Sequence, residues 1–249
     1  MTFWDAIAIA VAGLGAGAIN AVVGSGTLIT FPTLIALGYP PVLANVSNTV
    51  GLVPGSTAAV VAYRRELRGQ GERLRRLCAC TTVGAVIGAL LLLTLPPGAF
   101  QAIVPILIGI ALLLVLFQPR LTAAVASRPH RPHHGGAVLA LGVLGTGIYG
   151  GYFGAAQGVL LMGLLGTLLT EDLQVLNAIK NVLALTANLV AALVFLAIED
   201  IDWGIVGLIA AGSIVGGLTG ARIARKLPPN VLRGVIVTIG SIAIVRLLA

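Results

Sequence analysis

Positions 6–63 carry no charged side chain, and glycine and proline alone punctuate this apolar run. One membrane-spanning helix needs about 20 residues, so the run holds more than two elements. Gly24-Ser25-Gly26 breaks its first part and Gly38-Tyr39-Pro40-Pro41 ends it. A helix is then expected over 42–63, kinked at Pro54, whose ring removes a backbone donor. The charged segment RRELRGQGERLRR (64–76) follows, and two apolar runs near 77–95 and 98–117 are separated by Pro96-Pro97. Residues 118–136, with Pro129, Pro132, His130, His133 and His134, read as a polar linker.

The pattern then starts again. Residues 137–170 are uncharged and broken by Gly154-Ala155-Ala156-Gln157-Gly158, and Glu171-Asp172 marks a turn. A long helix is expected over 173–198, then an acidic loop at 199–202 and two last spans near 203–221 and 231–248, parted by Leu227-Pro228-Pro229. Particular residues correspond. Gly17-x-x-Asn20-x-x-x-Gly24 aligns with Gly147-x-x-Gly150-x-x-x-Gly154, and Leu43–Asn48 aligns with Leu176–Asn181. Gly84-x-x-x-Gly88 aligns with Gly212-x-x-x-Gly216, and Leu95-Pro96-Pro97 with Leu227-Pro228-Pro229. Four matches in one order point to an internal duplication. The expected organisation is a first membrane repeat over 1–117, a linker over 118–136 and a second membrane repeat over 137–249.

Composition fixes the solvent of these segments. Hydrophobic residues make up 58% of the chain and charged residues 9%, with a mean hydropathy of +1.06. Soluble domains carry about 25% charged residues, so lipid is the solvent here and an all-α integral membrane protein is expected. Apolar sequence begins at Phe3 with no basic flank and no cleavage pattern, which reads as a first membrane segment.

The net charge of +7 sets an orientation instead of marking a nucleic-acid surface. Arg64–Arg76, the linker arginines and Arg222, Arg225, Lys226 and Arg233 all fall on one side if loop 64–76 and linker 118–136 are cytoplasmic. Only Lys180 and Arg246 depart from that bias. The loop after the long helix is basic in the first half and acidic in the second, so equivalent loops lie on opposite sides. The halves are thus expected as inverted copies, each with a broken, re-entrant first segment and three transmembrane helices, and both termini extracytoplasmic. Five full crossings per half fit the charges as well, but 137–170 is short for two spans and a turn. Trp4 and Trp203 would sit at the same interface.

Broken backbone in hydrocarbon persists only against protein or a water-lined cavity, so the two glycine-rich breaks point inward. Half-helix N-termini there can offer N–H groups to an anion. Candidate substrate-binding residues are Asn20, Gly24, Ser25, Gly26 and Thr27 in the first break and Gly154 and Gln157 in the second. Asn45, Ser47, Asn48, Asn177, Lys180 and Asn181 join them from the helices that follow. Close helix packing is the competing reading for the glycines, and the preferred one for the Gly84/Gly88 and Gly212/Gly216 pairs. Lys180 is the sharpest candidate, because a charge near the membrane centre costs at least about 2.5–3.5 kcal/mol. Snorkelling, or pairing with Glu171 or Asp172, would be its structural explanation.

Every Asp and Glu lies at a span end or in a loop, leaving no carboxylate in mid-membrane for a proton relay. No metalloprotease, nucleophile-elbow or phosphate-loop motif occurs, so no catalytic residue, metal or cofactor is expected. Cys78 and Cys80 are expected as free thiols, and the linker histidines as solvated.

The segments GLGAGAINAVVGSGTLITFP (13–32), ANVSNTVGLVPGS (44–56), GIYGGYFGAAQGVLLM (147–162) and NAIKNVLALTANLVAALVF (177–195) together resemble the TauE/SafE sulfite-exporter family of bacterial transporters. The resemblance spans roughly 11–248. It implies a multi-pass protein of the bacterial inner membrane that exports or takes up small sulfur-containing anions such as sulfite, thiosulfate or organosulfonates, with export the expected direction. The chain departs from many relatives at Gly24-Ser25-Gly26, where they carry more glycines. It also has Ile179-Lys180-Asn181 where they have T-S-K, which shifts the cation by one position. The expected partners are a small anion and the lipid bilayer, with no nucleic acid, and a homodimer stays open. A passive anion channel and a membrane scaffold are the rival classes.

Overall fold

Interruptions of the apolar pattern become interruptions of helix. The computed structural model describes residues 1–126, 136–223 and 229–248, all helices and short connections, with no strand among the described residues. The first half comprises α1 (Phe3–Val22), α2 (Thr27–Ala36), α3 (Pro41–Ala62), α4 (Gly71–Thr94) and α5 (Pro97–Ala126). The second comprises α6 (Gly136–Tyr152), α7 (Gln157–Leu168), α8 (Leu173–Ile198), α9 (Trp203–Ile223) and α10 (Pro229–Leu248).

Four of these helices are long and apolar enough to cross a membrane over their described residues, and α1, at 20 residues, is one of them. Exposed leucine, isoleucine and valine along the helices (Val11, Leu113, Leu193) present a face that only lipid can solvate.

Two expected boundaries move. α4 begins at Gly71 inside the charged segment, because Glu, Leu and Arg are good helix formers in water as well as in lipid. α5 continues past 117, through Pro119, to Ala126, so 118–126 is helical. Pro54 lies within a continuous α3. The linker residues 127–135, with Arg128, Pro129, His130, Arg131, Pro132, His133 and His134, lie outside the described residues. So do Arg225, Lys226 and Pro228, and the side chains of Arg222, Arg233 and Arg246.

Contacts between connections sort the helix ends. The Met1 side chain lies beside Gly204. The Tyr39 phenol is held above its usual pKa by burial and then by the carboxylates of Asp202 and Asp5. The start of α1, the α2–α3 turn and the α8–α9 turn therefore share one end of the bundle. Trp4 and Trp203 are 75% and 64% exposed there, where amphipathic indoles suit a membrane interface. At the other end, Arg73 forms an ion pair with Glu171 at 2.6 Å, joining the start of α4 to the α7–α8 turn. A cavity of about 570 Å³ opens beside this pair, lined by Gln70, Arg73, Arg76, Cys80, Gly136 and Glu171.

Helix pairing is made by glycine. α1 lies along α9 and α4 along α6; Gly13 and Gly17 meet Ile209 and Ser213, and Gly84 and Gly88 meet Leu144 and Ile148, so each pair is parallel. A Cβ at Gly84 or Gly88 would collide with the carbonyls of Leu144 and Ile148, and one at Gly212 or Gly216 with those of Ala10 and Leu14. Small residues let backbones approach closely where no hydrophobic force drives helices together. α2 packs on α10, α7 on α5, and α3 on α8.

Candidate functional site

The two breaks have the same local structure. At the end of α1 the N–H groups of Val23 and Gly24 both donate to Ile19 O, at 2.7 and 3.2 Å. At the end of α6 the N–H groups of Phe153 and Gly154 both donate to Tyr149 O, at 2.9 Å each. Gly24 and Gly154 are left-handed, with φ of +79° and +75°, which is the helix-ending geometry that glycine permits. The breaks also touch: Gly158 N donates to Gly24 O at 3.0 Å, and a Cβ on either glycine would strike the Cα of the other.

A helix end leaves carbonyls without intrahelical partners, and in an apolar interior another donor has to supply them. α8 does so for α1. Asn177 Nδ2 and Asn181 Nδ2 donate to Ala21 O at 3.4 and 3.3 Å, and Lys180 Nζ donates to Val22 O at 3.3 Å. Amide donors and a cation both suit the negative end of a helix dipole. α3 does the same for α6, with Asn45 Nδ2 donating to Tyr152 O at 3.0 Å.

The starts of the returning helices are arranged differently. Neither α2 nor α7 has a side-chain cap, and Ala156, which precedes α7, is itself left-handed at φ +57°. Asn48 spans the first turn of α2: its carbonyl accepts the Thr30 hydroxyl and its amide donates to Thr27 Oγ1 at 3.3 Å. Asn45 and Asn48 are three residues apart on one face of α3. That face therefore meets both the start of α2 and the end of α6.

Of the residues expected to line a site, all but Asn20 and Gly154 are buried. Asn20 donates to Ser56 Oγ at 3.2 Å and Gln157 to Thr146 O at 3.0 Å, so both tie neighbouring helices together. Three polar atoms from the expected set are buried with no hydrogen-bond partner: Ser25 Oγ, Ser47 Oγ and Asn45 Oδ1. Such an atom forfeits about 1–3 kcal/mol unless a water or ligand meets it. Lys180 is 1% exposed, which rules out snorkelling here, and Glu171 is taken by Arg73.

Sequence reasoning missed Thr30, Ser56 and Tyr152. Thr30 had a signal, since it follows Thr27 by three positions on one helical face. Tyr152 takes part through its backbone carbonyl, which no residue type announces. Also unforeseen is the aromatic group of Phe31, Phe100, Tyr152 and Phe153. Its rings meet edge to face, with Phe31 and Phe153 centroids 5.1 Å apart, where the second break lies against α2 and the start of α5.

A family model, Sulfite exporter TauE/SafE, matches residues 9–247. The chain belongs to the TauE/SafE family. Among its relatives, a Haemophilus influenzae protein named "Probable membrane transporter protein" is 28% identical over 228 residues, covering 90% of this chain and 87% of the relative. The Escherichia coli K12 "Probable membrane transporter protein YfcA" is 28% identical over 235 residues, 94% and 86% of the two chains. A Sinorhizobium protein, "Probable membrane transporter protein ORF9", is 29% identical over 243 residues, 96% and 90%. No solved structure matches. This TauE/SafE member is a multi-pass membrane protein of a transporter family.

Proposed function

We propose that this TauE/SafE protein is a secondary transporter that exports small sulfur-containing anions, such as sulfite, thiosulfate or organosulfonates, across the bacterial inner membrane, and that it is not an enzyme. The anion binds between two inverted repeats, 1–117 and 137–249, joined by a cytoplasmic linker. The termini are extracytoplasmic and loop 64–76 is cytoplasmic. Reciprocal packing supports the inversion: the first element of each half lies along the fourth element of the other, and the second along the fifth. The two breaks carry the same helix-ending geometry, and the helices that lead into them start beside Tyr39 and Asp202 in one case and beside Arg73 and Glu171 in the other.

One observation carries the anion reading. A buried lysine and three partnerless polar atoms gather on or beside helices that meet the two breaks, with no acidic side chain among them. Ser25 and Ser47 hydroxyls, the Lys180 amine and the uncapped start of α2 can all donate hydrogen bonds to oxyanion oxygens. Asn177, Asn181 and Gly154 shape the site by fixing the ends of α1 and α6. Alternate rocking of the halves about the contact between Gly24 and Gly158 would expose the anion to each side.

The test is anion-dependent thermal stabilisation of the purified protein. Sulfite, thiosulfate or a sulfonate is expected to raise Tm more than chloride does, and Lys180→Ala is expected to remove the difference. Shifts that do not distinguish sulfur anions from chloride would overturn the substrate class, and shifts that survive in Lys180→Ala would remove Lys180 from the site.

A further inference from the structure

Lys180 is the one charged side chain buried among the described residues, and nothing described around it balances that charge. The ion pairs among the described residues are Arg73–Glu171 and Arg76–Glu72. The helices packed against α8 are α3, α4, α6 and α7, and the end of α1 reaches it through Ala21 and Val22. α3 and α7 carry no ionisable residue, and α6 brings only Tyr149 and Tyr152. α4 brings Cys78 and Cys80 and, at its aqueous end, Glu72, Arg73, Arg75 and Arg76. α1 has only Asp5, at its far end, and α8 itself has none besides Lys180. Asp172 occupies the N-cap position of α8 without a side-chain capping bond, eight residues before Lys180 and at the aqueous end of the helix.

The ammonium is not needed to hold the end of α1. Asn177 and Asn181 both donate to Ala21 O, and an uncharged amine would make the same bond to Val22 O that Lys180 makes. A lone ammonium removed from water costs several kcal/mol, which one carbonyl dipole does not return. The charged form is therefore favoured when an anion lies beside it and disfavoured when none does.

We infer that Lys180 couples the anion to a proton. Its amine takes a proton from the aqueous side as the anion enters and releases it on the other side as the anion leaves. Written as a balance, R–NH2 + H⁺ + A⁻ gives R–NH3⁺·A⁻ for a singly charged sulfonate, and R–NH2 + H⁺ + A²⁻ gives R–NH3⁺·A²⁻ for thiosulfate; the reverse occurs at the far side. Only an N–H bond forms and breaks, no electron is transferred, and the solvent supplies and receives the proton. This inference rests on the anion-transport reading and not on its direction: the proton travels with the anion, so an outward anion gradient drives export and an inward proton gradient drives uptake through the same cycle. It supplies a proton path in a membrane interior without a carboxylate.

The test reconstitutes the full chain in vesicles with the membrane potential clamped at zero and a pH-sensitive dye inside. Thiosulfate is the probe because it stays fully dissociated and cannot itself ferry protons. A gradient of one pH unit, acidic outside, is expected to drive about tenfold thiosulfate accumulation, with the lumen acidifying as thiosulfate enters. Lys180→Gln, which keeps a donor for Val22 O, and Lys180→Arg, which holds a fixed charge, are both expected to abolish the gradient dependence. Thiosulfate flux in the wild type without proton movement would overturn this inference and leave the transport reading standing. The same holds if Lys180→Gln keeps the coupling. Proton-coupled flux of chloride or nitrate but not thiosulfate would overturn the sulfur reading and leave Lys180 as carrier. Absence of flux for every anion would overturn both.

Discussion

Gly24→Ala tests the contact on which the arrangement of the two breaks rests. Two costs fall on one methyl group. Gly24 is left-handed at φ +79°, where an L residue with a Cβ is strained by about 1–2 kcal/mol. The new Cβ would also strike Gly158 Cα, and forcing extra atoms into a packed interior costs about 1–3 kcal/mol. Together they give a loss of about 2–5 kcal/mol, which for a chain of this size is a Tm decrease of about 4–20 °C. Two companions separate the terms. Gly38 is also left-handed, at +88°, but a Cβ there meets nothing within 4 Å, so Gly38→Ala should show only the conformational cost. Gly158 has an ordinary helical backbone, so Gly158→Ala should show only the collision. The assay is thermal unfolding in detergent, with all three variants measured beside wild type. Equal losses for Gly24→Ala and Gly38→Ala, with Gly158→Ala unchanged, would mean that the two breaks are not in contact.

Other outcomes follow from the same geometry. Asn177→Ala and Asn181→Ala are each expected to cost about 0.5–1.5 kcal/mol. The double variant should lose more than the two singles combined, since Ala21 O is then left without a donor, and a double-mutant cycle on denaturation reads this directly. The half-exposed Arg73–Glu171 pair should show a coupling of about 0.2–1 kcal/mol in its own cycle, with partial recovery when both charges are exchanged. With Cys78 and Cys80 replaced, an impermeant maleimide applied to oriented membranes should label Gln70→Cys and Asp200→Cys from opposite sides. Labelling of both from one side would contradict the assignment of the bundle ends.

Much of the fold was legible because lipid enforces a simple rule: apolar runs become helices, and glycine or proline becomes an interruption. The expected helix over 173–198 coincides with α8, and that over 42–63 differs from α3 by one residue at each end. Both breaks lie within one or two residues of the glycines that announced them. The start of α4 was hidden, because hydropathy reports where the membrane begins and not where the helix does. The candidate site was legible as a set of residues and illegible as a set of partners. Asn177 and Asn181 lie 156 and 160 positions from Ala21 in sequence, and the atom they meet is a backbone carbonyl. No side-chain pattern encodes such a partner. Lys180, the proposed anion ligand, likewise meets a backbone carbonyl, that of Val22, at the end of α1.

Flux of radiolabelled thiosulfate into vesicles holding the purified protein separates a sulfur-anion transporter from a passive channel or a scaffold. Uptake is expected to saturate with concentration, to be competed by sulfite, to exceed that of empty vesicles and to fall when Lys180 is replaced. Flux no greater than in empty vesicles, or non-saturating ohmic current in a planar bilayer, would contradict the transporter reading.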